Sequence, residues 1–116
     1  MLSTTLDFTT DFNANSKVNI STSGWDYATV QAIGASGTIQ FNGSNDANAI
    51  TGVSDGNVRS AINWQPVQGI NTATGTGVTS ASDNLIYKFS NPSKFLQLIG
   101  SSVTVTKLIV VLSQID

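Results

Sequence analysis

Histidine, cysteine and glutamate do not occur in this chain of 116 residues, and charged side chains of any kind make up only 10% of it. Each absence removes a class of chemistry. Without histidine there is no side chain whose ordinary pKa lies near neutrality, so the commonest general base is missing. Without cysteine there is no thiolate nucleophile, no disulfide framework and no sulfur ligand for zinc. A Ser–His–Asp arrangement is impossible. A Ser–Lys pair or two aspartates would have to serve instead, and none of the seven acidic residues, all aspartate, stands in a diagnostic local motif. The expectation is a protein that is not an enzyme, with no cofactor and no metal.

Charge of one sign is equally scarce. The five basic residues (Lys17, Arg59, Lys88, Lys94 and Lys107) stand singly, and the net charge is −2. No basic stripe is available to neutralise a row of phosphates, so nucleic acid is not an expected partner. Long apolar runs are absent too. The longest, residues 108–112, is far shorter than the ~20 residues a helix needs to cross a bilayer, so a membrane is not an expected partner either. The opening MLSTTLDFTT has no basic region followed by an apolar one, and a secretory signal is not predicted.

What is plentiful is Ser, Thr, Asn and Gly, with Val and Ile, while the usual builders of exposed helices are thin. Thr and Val favour strands; Asn, Asp, Ser and Gly favour turns. Apolar residues recur at period two. Leu6 and Phe8 mark a first strand, Val18 and Ile20 a second, and Ala28, Val30 and Ala32 a third, with Thr29 and Gln31 opposite. Ile39 and Phe41 face inward from a fourth, and Gly34-Ala35-Ser36-Gly37 between the third and fourth predicts a hairpin. Residues 42–84 are rich in turn formers. Val58, Ala61 and Ile62 after Ser54-Asp55 predict one helical turn, and Pro66 predicts an edge strand. Leu85, Tyr87 and Phe89 alternate again, Asn91-Pro92 is a turn, residues 95–99 form the next strand, and Ser101-Ser102 leads into the last, on which Val103 and Val105 share a face. The prediction is a single domain over residues 1–116, all-β, an antiparallel two-sheet β-sandwich of jelly-roll type with about eight strands.

The final strand is apolar on both faces at Leu108, Ile109, Val110, Val111 and Leu112. Such a strand is covered twice. The second cover is either a loop of the same chain or a neighbouring subunit, and in the latter case Leu108, Val110 and Leu112 are the candidate interface. Other candidate sites compete with simpler readings. Asn45, Asp46, Asn48 and Asp55 offer oxygen to calcium, but the spacing is not that of an EF-hand, and turn chemistry accounts for them without an ion. Asn19-Ile20-Ser21 and Asn42-Gly43-Ser44 match the glycan acceptor pattern, as chance produces in a chain so rich in Asn and Ser. The stretch NGSND after Phe41 reads as the loop leaving its strand. Trp25, beside Asp26 and Tyr27, and Trp64, beside Asn63 and Gln65, could stack on a sugar ring. Both also flank strands of a small domain with few large apolar residues, which favours a core role.

Residues 25–46, WDYATVQAIGASGTIQFNGSND, resemble a pattern recurring in small β-sandwich domains of virion proteins of tailed bacteriophages. Residues 82–114, SDNLIYKFSNPSKFLQLIGSSVTVTKLIVVLSQ, look like the closing strands of the same family. The chain departs from that pattern at Gln97, where the family often carries an arginine. The resemblance implies a structural virion component, foremost a capsid decoration (cement) protein that stabilises the head shell. The alternatives are a carbohydrate-binding β-sandwich and a tail or baseplate receptor-binding accessory. It implies no catalytic residues. It implies partners among the major capsid protein or other virion proteins, self-association as a homotrimer, and a place on the capsid surface or tail after assembly in the host cytoplasm.

Overall fold

The computed structural model describes residues 2–45, 64–82 and 84–115. The helical turn expected near Val58, and Asp46, Asn48 and Asp55 of the calcium candidate, lie outside the described residues. Along the chain come β1 (Leu2–Asp7), α1 (Thr9–Asn15), β2 (Lys17–Ser21), β3 (Tyr27–Ile33) and β4 (Ile39–Ser44). After these come β5 (Gln65–Pro66), β6 (Gly69–Asn71), β7 (Thr76–Val78), β8 (Ser80–Ala81), β9 (Ile86–Ser90), β10 (Phe95–Ile99) and β11 (Lys107–Gln114). They form two antiparallel sheets. One has the order β1-β11-β3-β9-β6-β7; the other has the order β2-β10-β4-β5, with β8 also paired to β4. The protein is an all-β sandwich. The described residues hold eleven strands where about eight are expected, and the two- and three-residue pieces β5 to β8 come from the turn-rich middle of the chain.

Period-two alternation places the core between the sheets. Ala28, Val30 and Ala32 point inward from β3, Ile39 and Phe41 from β4, Tyr87 and Phe89 from β9, and all seven are buried. Phe41 is the bridge between layers. Its ring meets Tyr87 edge-on at 5.3 Å and Phe89 at 5.0 Å, with interplanar angles of 63° and 84°. The Tyr87 hydroxyl is not orphaned by this burial, because it accepts the Ser82 N–H at 2.7 Å.

Three expectations are corrected. Residues 34–37 do not close a hairpin, since β3 and β4 lie in different sheets. Both sides of β3 are already taken, by β11 and β9, so the chain must cross over. The crossover is fixed to the segment before β11: Ser36 N–H donates to Thr104 O at 2.9 Å and Thr104 N–H to Ser36 Oγ at 3.0 Å. Gly34 has φ +68°, and a side chain there would collide with Thr106. Secondly, Asn42-Gly43-Ser44 is not a loop. β4 runs through Ser44, with Gly43 opposite Leu96 on one side and Gln65 on the other. Thirdly, Val103 and Val105 are buried as alternation requires, yet they lie in an irregular segment, and β11 begins only at Lys107.

That irregular segment is where α1 docks. The helix has one large apolar residue, Phe12, which is fully buried. Asn13 clamps the segment from both directions, donating to Val105 O at 2.9 Å and accepting from Val105 N–H at 2.8 Å. Ser16 ends the helix in a left-handed conformation, φ 56°, and donates its hydroxyl to Val103 O at 2.8 Å. Phe8, placed by alternation on the first strand, lies just beyond β1 and packs on the core from the start of this helix.

Candidate interaction surface

The apolarity of β11 resolves into two faces. Leu108, Val110 and Leu112 are 0, 0 and 3% exposed, packed in the core of the single chain. They are therefore not an outward interface, and the reason is register: they stand opposite Ala32, Val30 and Ala28, the inward set of β3. The outward residues are Ile109 and Val111, both half-buried. In register across the sheet, Val111 meets Thr29, Thr29 meets Lys88, and Lys88 meets Ile70; one row over, Ile109 meets Gln31 and Gln31 meets Ile86. Ile70 and Ile86 are about 40% exposed. The Lys88 ammonium sits 4.2 Å from the centroid of the Tyr27 ring, a cation–π contact that holds the lysine stem flat on the sheet. This outer face mixes aliphatic, hydroxyl and amide groups with little charge.

On the other sheet the side turned away from the core carries amides that are themselves largely buried. Asn42 Nδ2 donates to Gln97 Oε1 at 2.9 Å, and Gln97 Nε2 donates to Asn19 Oδ1 at 3.0 Å, so three side-chain amides form a ladder across β4, β10 and β2. Asn19 and Gln97 are each 6% exposed. The amide of Asn19 is thereby committed to the fold and has no room for a glycan. At one end of this sheet is an open cleft of about 490 Å³ lined by Thr38, Gln40, Thr79, Ser80, Ile99, Gly100 and Ser101. Its walls are hydroxyls, an amide and one aliphatic side chain, with no titratable group among the residues named.

The sequence-predicted sugar platforms are half-buried. Trp25 packs on the core and donates its backbone N–H to Thr22 O at 3.2 Å. Trp64 precedes β5, at the edge of the other sheet. The structure does not bring them onto one strand or one sheet. Asn45 accepts the Lys94 N–H at 2.9 Å and so pins the end of β4 to the turn before β10. Asp26 also serves the fold: its carboxylate accepts the Ile115 N–H at 2.7 Å, and its carbonyl accepts the Asn91 N–H at the same distance. Asp7 bonds both the hydroxyl and the N–H of Thr9, and these bonds, with Lys107 nearby, hold its carboxyl below the ordinary 3.8. Among the described residues no three His, Cys, Asp or Glu side chains gather as a metal site, and no helix is long and apolar enough to cross a membrane.

The described residues form two sheets whose outward side chains and open edges make up the candidate surface. The inward set of β11 was distinguishable in principle only by matching it to the small alanines of β3. Pro66 marks the edge strand β5 as expected, whereas the outermost position of β1 leaves no mark in side-chain periodicity. No protein-family model and no curated protein matches the chain. Among solved structures it is similar to the crystal structure of SPBc2 prophage-derived protein YomS, with a TM-score of 0.63 at 13% identity, over 96% of this chain and 92% of that one. At that identity the likeness is one of fold.

Proposed function

We propose that this chain is a structural protein of a bacteriophage particle, and within that class a capsid decoration protein that binds the assembled head shell. The observation that carries the reading is the near full-length likeness in fold to a prophage-derived protein. A chain without histidine or cysteine, folded with a weakly charged outer face on its six-stranded sheet, supports a role in binding and not in catalysis. The strand order supports the jelly-roll form of sandwich. Successive strands β1, β2, β3 and β4 alternate between sheets, and β1 and β2 pair with β11 and β10.

The mechanism is mass action. A protein that binds the closed shell but not its dissociated subunits stabilises the shell by RT ln(1 + [L]/Kd), about 2.7 kcal/mol at a hundredfold excess over Kd. Contacts made through aliphatic and hydroxyl groups respond little to salt. The test is to purify particles from the virus or induced lysogen that encodes the chain, with and without its gene. The expected result is the protein in the head fraction by mass spectrometry, and heads that break at lower temperature when it is missing. Recovery with tails would move the protein to the tail or baseplate. Absence from particles, with unchanged heads, would overturn the reading.

A further inference from the structure

We propose that β1 is the edge through which two copies of this chain join their six-stranded sheets into one continuous antiparallel sheet. The inference stands on the four sheet edges among the described residues and is independent of where the protein acts. An exposed strand edge is a template for pairing, and proteins that stay single blunt it with short strands, proline, lysine or a covering element. Three of the edges here are blunted. β7 has three residues; β5 has two, one of them Pro66; β2 starts with Lys17 and has α1 packed against it. β1 has none of these devices. It runs for six residues, LSTTLD, in unbroken register with β11, and nothing among the described residues pairs with its other side.

The backbone phase of that open edge follows from its end. Phe8 N–H donates to Leu108 O, and Leu108 N–H donates to Thr9 Oγ1, so the backbone groups of Phe8 and Leu108 face each other. In an antiparallel ladder this alternates. Leu6, Thr4 and Leu2 therefore direct N–H and C=O toward β11, while Ser3 and Thr5 direct theirs outward. A second copy, related by a two-fold axis, must set outward residues against outward residues. With the axis at Thr4, Ser3 of each copy stands opposite Thr5 of the other, giving about four new backbone hydrogen bonds. The same register sets Leu2, 56% exposed in the single chain, opposite the half-buried Leu6 of the second copy. The paired residues carry no charge. Asp7 lies outside them with its carboxylate turned back onto Thr9, so no like charges meet across the axis.

The phase supplies its own test. Thr5→Pro removes an N–H that points outward and leaves the ladder to β11 intact, whereas Thr4→Pro removes one that β11 uses. Light scattering should find the wild type at twice the 12.1 kDa chain mass. Thr5→Pro should be folded by circular dichroism and monomeric, with association weakened at least tenfold. Thr4→Pro should lose folding stability instead. A second measurement needs no proline. Thr4→Cys places the only thiol of the chain on the axis, in a non-hydrogen-bonded pair with Cβ atoms about 5 Å apart, and oxidation should yield a covalent dimer. Ser3→Cys should not cross-link. A wild type that remains a monomer, a dimer untouched by Thr5→Pro, or a Thr4→Cys variant that does not cross-link would each overturn the proposal. A monomer that gains mass only when other particle proteins are added would overturn it too, giving the edge to a different chain.

Discussion

Phe41 is the residue on which the packing of the two sheets is most directly testable. It rises from β4 in one sheet, is fully buried, and sets its ring edge-on to Tyr87 and Phe89 from β9 in the other. Truncation to alanine removes a ring from a site whose neighbours are strands and cannot collapse, and such Phe→Ala changes cost about 3–5 kcal/mol. Each edge-to-face pair contributes about 0.5–1.5 kcal/mol beyond buried area. Roughly 1–3 kcal/mol of the total therefore belongs to ring geometry and the rest to volume. Phe41→Leu keeps much of the volume and loses the pairs, so it should cost about 1–3 kcal/mol. A domain of this size is stable by about 5–15 kcal/mol in all, so Phe41→Ala removes a large part of its margin. Urea unfolding followed by tryptophan fluorescence, at one fixed protein concentration, is the assay. With a slope of about 2 kcal/mol per molar urea, the midpoint should fall by about 2 M for alanine and about 1 M for leucine. An alanine variant that loses less than about 1 kcal/mol would refute the bridge. Equal losses for both variants would refute the division between volume and ring geometry.

The remaining predictions are shorter. Gln97→Ala should cost about 1–3 kcal/mol in the same assay, because it leaves the Asn42 donor and the Asn19 acceptor of the amide ladder without their partner. Gly69→Ala should destabilise by about 1–3 kcal/mol, since a Cβ there would come within 2.7 Å of the rigid Phe89 ring on the neighbouring strand. Asp7 sets a sign for pH. Its carboxyl ionises below 3.8 in the folded chain, so its contribution is complete above the unfolded value and is lost as pH falls from there through the lowered native value. Asp7→Asn should therefore flatten the acid limb of the stability profile and leave the profile near neutrality parallel to wild type.

The strands that alternate cleanly were legible because their two faces differ. In β3 the inward residues are Ala28, Val30 and Ala32, and the outward ones are Tyr27, Thr29, Gln31 and Ile33; the pattern names its own core side. β11 shows why the same reasoning stops. Both of its faces are aliphatic, so period two divides the strand but does not label the halves, and only pairing with β3 assigns Leu108, Val110 and Leu112 inward. The expected hairpin failed for a related reason. Four residues bounded by glycine satisfy a hairpin locally, but whether β4 can lie beside β3 depends on β9 and β11, which come much later in the chain. α1 left almost no pattern, because one phenylalanine and a pair of Asn13 hydrogen bonds hold it, not an amphipathic stripe.

Scarcity of charge and openness of the edge belong to one account. Lysine is the common guard of an exposed strand, and this chain has only four. Lys17 guards β2, Lys88 lies over Tyr27 in the middle of a sheet, Lys94 is in the turn before β10, and Lys107 begins β11 inside the sheet. None stands on β1, where a row of serine and threonine faces outward beside exposed Leu2. The scarcity of lysine therefore leaves this edge unguarded. Thr5→Lys would supply the guard, and its long side chain can extend into solvent without disturbing the pairs that Thr4 and Leu6 make with β11. It should match Thr5→Pro in dissociating the protein while leaving the urea midpoint of the separated chains unchanged, a coincidence that a purely structural role for β1 would not produce.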